Sequence, residues 1–427
     1  MLESLRKVWK VEELRKKLIY TFLMLVLYRL VSVIPAPGID PSKIGGQMDL
    51  PLLQLVNMMT GNAFSQMTIM AMGITPYINA SIIMQLLCIA IPALERLQND
   101  ETGNGREKIN RISRYVTVAL AALQAIGLAG GLKFIRDGWF NYVLAGVSMA
   151  AGTALAMWIG ERISDKGIGN GISLLIFVGI VSNLFNGIVS GFGSASAQGT
   201  TRAWINVILV IVLAVVMTVL VTFVELAERR VPLQIAKQTK GRRVYGGQNT
   251  RMTLKVVSVG VMPLIFAYSF LSFPGTIIQM VSGANPPEGS FGHWWNLNMN
   301  NGSWLYITIA ALLIIAFTYF YSSISFDPKK QADQLIMQGA TIPGQRGKNM
   351  AGYLKRIVNH LNLFAALFLA LLSAVPSLMT RTLNTAVPFA ASSILIAVSV
   401  SLEFVRAIQA EMSIRGIDMD VEKGGFM

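Results

Sequence analysis

Ten apolar runs set the terms for this chain: 18–34, 69–92, 115–135, 142–160, 172–191, 204–227, 256–280, 304–324, 361–379 and 386–406. A helix needs about 17–25 such residues to cross a hydrocarbon core of about 30 Å, so every run is long enough. Lipid satisfies no backbone N–H or C=O, so a chain built this way folds as a bundle of membrane-crossing helices. Charge excludes the soluble alternative. Only 14% of the residues are charged, against about 25% in soluble domains, too few to clothe a 427-residue surface. The first run follows a basic stretch, as a signal peptide would. Its length and the Pro35-Ala36-Pro37-Gly38 end, with no cleavage site, predict a retained span instead. Cys88 is the single cysteine, so no internal disulfide is possible.

Orientation follows from Lys and Arg. Of 36 basic residues, only Lys43, Lys133, Arg136, Arg202 and Arg381 fall in the loops of one side, and Arg29 lies within the first run. All the others lie on the opposite side with both termini. Positive loops stay in the cytoplasm, so both termini are expected there. A net charge of +14 gathered on one face also attracts acidic partners. Two loops on that face, 227–255 and 325–360, far exceed the roughly 2–8 residues that join neighbouring helices. They are either unstructured positive-inside loops or functional surfaces. The runs divide five and five, into an N-terminal half over 1–191, a C-terminal half over 204–406 and a tail over 407–427. Because five is odd, two similar halves would enter the membrane in opposite directions, with the functional path between them near the midplane.

Irregularities fall inside the runs. Pro76 interrupts the second, Pro263 and Pro274 the seventh, and Pro388 begins the tenth. Arg29 is costly in a span and either snorkels outward or faces a polar interior. Residues 49–68 are semi-apolar but broken by Asn57, Thr60, Gly61 and Asn62, which suits a re-entrant segment or an amphipathic surface helix. Ile74 and Ile78 are spaced to share one helix face, as are Ile172 and Ile176, the pattern of a packing or lipid-facing stripe. Groups for covalent or metal chemistry are missing. His293, His360 and Cys88 stand far apart. The run from Gly344 to Lys348 lacks the spacing that wraps phosphates. No catalytic, cofactor or metal site is therefore expected. Span centres almost free of acidic residues also argue against an ion-coupled ten-span secondary transporter, the alternative reading.

Four motifs carry a resemblance: Gly73-Ile74-Thr75-Pro76-Tyr77-Ile78-Asn79-Ala80-Ser81-Ile82-Ile83-Met84-Gln85; Gly167-Ile168-Gly169-Asn170-Gly171-Ile172-Ser173; Glu228-Arg229-Arg230-Val231-Pro232; and Gly241-Arg242-Arg243-Val244-Tyr245-Gly246-Gly247-Gln248. In order, spacing and span plan the chain resembles the SecY family, the central subunits of the bacterial protein-translocation channel. That resemblance implies an all-α membrane protein with two inverted five-helix halves around an hourglass pore. It would pass unfolded secretory chains across the bacterial cytoplasmic membrane, release membrane segments sideways, and act as no enzyme. It places an apolar pore ring at Ile74, Ile78, Ile172, Ile176, Ile265 and Ile396. It also places a plug over about 53–68, including Leu53, Val56, Asn57, Met58, Met59, Thr60, Gly61, Asn62, Ala63 and Phe64. Gln85 and Gln124 become polar lateral-gate residues, and the two long loops dock the ribosome and the SecA motor ATPase through Arg242, Arg243 and Arg346. A SecE-type clamp, a SecG-type small subunit, signal peptides, precursor chains and membrane lipids complete the implied partners. The chain departs from the family pattern at Gly61-Asn62 and Gln66 in the plug. It departs again after Arg346, where no proline follows, and at Ala390-Ala391-Ser392-Ser393.

Overall fold

The computed structural model describes residues 9, 11–40, 60–61, 63–98, 104–131, 138–235, 238–240, 243–245, 249–282, 287–299, 303–344, 349–383 and 391–414. In chain order its helices begin with α1 (Glu12–Val31), α2 (Thr75–Ala90), α3 (Pro92–Gln98), α4 (Asn104–Gly131), α5 (Trp139–Lys166), α6 (Gly171–Gln198) and α7 (Thr201–Leu226). Strands β1 (Glu228–Ile235), β2 (Gln238–Lys240), β3 (Arg243–Tyr245) and β4 (Asn249–Lys255) follow. Then come α8 (Met262–Ser282), α9 (Phe291–Asn298), α10 (Trp304–Ser325), α11 (Pro328–Met337), β5 (Ala340–Thr341), α12 (Asn349–Leu383) and α13 (Ala391–Ile414). Each of the ten apolar runs contains a helix. Among the described residues, α5, α6, α7, α10, α12 and α13 are long and apolar enough to cross a membrane, by length and composition. α1 carries Lys16, Lys17 and Arg29, and α2 has only 16 residues.

Exposure shows what surrounds these helices. In the apolar window of α5, 56% is buried, against 22% for that of α7. Ile205, Ile208, Val212, Val216, Val219 and Phe223 of α7 all lie open, a surface that only lipid or a partner can cover. Trp139, Trp204 and Trp304 stand at the start of α5, α7 and α10, where an amphipathic ring suits the membrane–water boundary.

The chain forms two compact units: Met1–Val207 with Ser272–Asn301 and Val400–Met427, and Ile208–Leu271 with Gly302–Ser399. In the first, α4 packs along α5 and α2, and α5 contacts both α1 and α6. The second run departs from expectation. Its helix starts at Thr75, not near 69, with Pro76 in the first turn, where a missing N–H costs nothing; Pro76 opens α2 and does not interrupt it. Residues 63–74 form turns instead, most of them buried. Phe64 and Met70 are fully enclosed, and an isolated antiparallel bridge pairs Pro35 with Thr68.

The second unit holds the main surprise. The long loops are folded together. β1 pairs antiparallel with β4 from Glu228↔Lys255 to Gln234↔Asn249, and its end pairs with β5 at Gln234↔Thr341 and Ile235↔Ala340. The sheet order is β4-β1-β5, and β2 and β3 make a separate two-stranded hairpin. Val231 and Leu233 are buried while Pro232 and Gln234 are exposed, the period-two alternation of a half-buried sheet. The inward residues join Leu254, Ala332, Ile342, Met350 and Leu354 in one core, so α11 and the start of α12 cover this sheet. Asp327 starts α11 by accepting the N–H groups of Lys329 at 2.9 Å and Lys330 at 3.4 Å, and Pro328 follows it.

Candidate functional site

In the first unit a run of buried turns leads into α2. Ala36 N–H donates to the Met67 carbonyl at 3.0 Å, and Ile69 N–H to the Ile34 carbonyl at 2.9 Å. Thr68 closes a local turn, its N–H donating to the Ala63 carbonyl at 3.1 Å. Thr60 accepts the Phe64 N–H through its hydroxyl at 3.3 Å, and both residues are buried. Of the expected plug, Thr60, Gly61, Ala63 and Phe64 are thus seated in protein. Leu53, Val56, Asn57, Met58, Met59 and Asn62 lie outside the described residues.

The six ring candidates divide between the units. Ile74 precedes α2 as its N-cap, is 5% exposed, and accepts the Ile78 N–H at 3.1 Å, so the two sit one turn apart. Ile172 and Ile176 share the first turns of α6; Ile176 is buried and Ile172 half-buried. Asn170 fixes where that helix begins, its side chain accepting from Ile172 N–H at 3.1 Å and Ser173 N–H at 3.4 Å. In the second unit, Ile265 on α8 is half-buried and Ile396 on α13 is buried. Gln85 on α2 and Gln124 on α4 are both half-buried on helices that pack along each other.

The glycine motif before α6 is a junction of chain segments. Thr21 of α1, itself buried, accepts the Ile168 N–H at 3.1 Å. Ile168 packs with Leu14, Ile408 and Met412, and Lys17 pairs with Glu411 beside them. Neither end of the chain's helical body is loose, because α1 and α13 meet around this motif.

Of the expected docking residues, Arg242 and Arg346 lie outside the described residues, and Arg243 opens β3. The sheet adds cations that spacing alone did not single out. Arg230, Arg251 and Lys255 are exposed, and their register puts them on the face opposite Val231, Leu233 and Leu254. The overlooked signal was the alternation Arg230-Val231-Pro232-Leu233-Gln234 set against Arg251-Met252-Thr253-Leu254-Lys255.

A family model for SecY matches residues 68–405. The chain belongs to the SecY family. It is 40% identical to the protein translocase subunit SecY of Streptomyces scabiei, over 98% of this chain and 99% of that relative. It is 38% identical to the subunit of Escherichia coli K12, over 94% and 92%. Its fold resembles a solved protein-conducting channel (TM-score 0.67, 20% identity, 92% of both chains). It also resembles a SecY whose plug domain stabilises the closed state and maintains a membrane seal (0.65, 19%, 92% of both). A third likeness is to Sec61 of a canine ribosome–channel complex (0.63, 18%, 92% of both). The SecY family makes this a multi-pass membrane protein and a translocase channel subunit, and nothing in these relatives favours the secondary transporter.

Proposed function

We propose that this SecY-family chain conducts unfolded secretory polypeptides across the bacterial cytoplasmic membrane and releases membrane segments sideways into the bilayer. The observation that carries the reading is identity of 38–40% to translocase subunits over nearly the whole chain. Ten spans, five in each inverted half, would keep both termini in the cytoplasm. Ile74, Ile78, Ile172, Ile176, Ile265 and Ile396 form the constriction. Aliphatic side chains offer no ligand to an ion, so such a ring resists leakage by excluding water yet adapts to a sliding chain. The plug runs over about 53–68 and includes Thr60, Gly61, Ala63 and Phe64, and Gln85 and Gln124 line the lateral gate.

No group in the channel makes or breaks a bond; the driving force comes from partners. A SecA-type motor or a ribosome docks on the cytoplasmic loops through Arg242, Arg243 and Arg346, whose guanidinium forks suit phosphate and carboxylate. The shared core of the loops supports this, because it gives both a common rigid base. SecE-type and SecG-type subunits complete the complex.

The test is a disulfide crosslink. Cys88 is buried and unpaired, so Cys88→Ser gives a clean background. A cysteine replacing Ile78 is paired with one placed mid-chain in a stalled secretory precursor. ATP- and SecA-dependent crosslinking is the expected result. A precursor that crosslinks to the cytoplasmic loops and never at 78 would sink the channel reading.

A further inference from the structure

Arg29 is the only charged residue between Lys17 and Asp40 in the chain. It lies near the end of α1, partly buried, and among the described residues no carboxylate pairs with it. Its bonds go to main-chain carbonyls on two other elements. Nη1 donates to Gly61 at 3.4 Å, and Nη2 donates to Val178 of α6. One guanidinium therefore joins α1, the turn at 60–61 and the helix that carries Ile172 and Ile176. The far side of that turn is fastened to the exit of α1 by the bonds of Ala36 and Ile69.

Gly61 reports the closeness of this contact. Its φ of +65° belongs to the left-handed region, and a Cβ built there would meet Nη2 at 2.6 Å and Cζ at 2.9 Å. Any side chain at 61 must push the guanidinium away. The chemistry favours arginine over lysine, since a planar fork can hold two carbonyls in fixed directions while an ammonium is a single point of charge. In a membrane span a lone charge persists only where something replaces water, and here carbonyl dipoles do so.

We propose that Arg29 is a positioning residue of the channel, clasping the turn at Gly61 to α6 and thereby holding the resting seal. The proposal rests on the channel reading and adds a residue to it. Among the described residues no carboxylate anchors the guanidinium, so the clasp consists of two hydrogen bonds, one to the turn and one to α6.

The experiment is resting ion conductance of the full complex with its small subunits in planar bilayers, without motor or precursor. Arg29→Gln, Arg29→Lys and Gly61→Ala are compared with Ile78→Asn, which breaches the ring directly. Losing a hydrogen bond to a charged donor shifts a two-state equilibrium by roughly tenfold or more, so Arg29→Gln should raise the leak by about that factor. Gly61→Ala should do the same with Arg29 retained, and decides the matter if Arg29→Gln fails to assemble. Arg29→Lys should restore part of the seal, which a loss of folding alone would not produce. If Ile78→Asn leaks while Arg29→Gln and Gly61→Ala stay at the wild-type level, the clasp is refuted. If Ile78→Asn is silent as well, the pore-ring assignment falls, and the clasp with it.

Discussion

Two charged, glycine-bearing regions connect helices along the chain, and different physics builds each. The junction at Gly167–Gly171 in the first unit depends on glycines that let main chain approach its neighbours closely. A Cβ at Gly171 would fall on the carbonyl of Gly160 in α5, and one at Gly167 would collide with the hydroxyl of Thr21. The sheet in the second unit is made by side chains filling space, with Val231, Leu233 and Leu254 turned onto α11 and α12. At Gly167 and Gly171, residue identity is dictated by absence of room, so nothing larger can substitute. In the sheet it is dictated by volume and parity, so many apolar residues of similar size would serve.

The sharpest way to break this comparison is Gly171→Val. Main chain cannot give way as a flexible side chain can, so the loss should exceed about 4 kcal/mol, enough to abolish folded protein in detergent. Normal assembly and melting would show that the junction has slack. Leu354→Ala comes next. A fully buried leucine truncated to alanine costs about 2–5 kcal/mol. The damage should be local: limited proteolysis should open 228–255 and 326–344 while the membrane helices stay protected. Global unfolding would mean the sheet supports the bundle. The smallest effects come from the one device both regions share. Asn170→Ala and Asp327→Ala each remove a helix N-cap and should each cost about 1 kcal/mol, measured by thermal unfolding. A much larger cost at Asn170 would show that the cap also holds the junction together.

The helices were readable because an apolar run of span length leaves the backbone few options. What sequence could not separate is apolar residues facing lipid from apolar residues facing protein. Met70, Ala71 and Met72 extended the second run by composition, yet they lie in turns buried by neighbouring segments. Ile74 and Ile78 looked like equivalent helical positions; Ile74 caps the helix that Ile78 belongs to. The loops at 227–255 and 325–360 were visible as long and basic, but their common core depends on Gln234 finding Thr341 across more than a hundred residues. No local pattern encodes such a pairing. Among the site residues, the glycine motif showed its position in the sequence, whereas the partners of Arg29 are carbonyls, which leave no trace in residue identity.

That distant pairing has a consequence for the order in which the molecule is made. β1 and β4 leave the ribosome well before β5, and Leu354 arrives later still. Until then Val231, Leu233 and Leu254 have no cover, and the hairpin is only marginally stable in water. The basic surface therefore takes its final shape only after most of the chain has been synthesised. A half-made copy exposes its cations on an unsupported ribbon, so a partner that grips the finished shape distinguishes complete chains from unfinished ones.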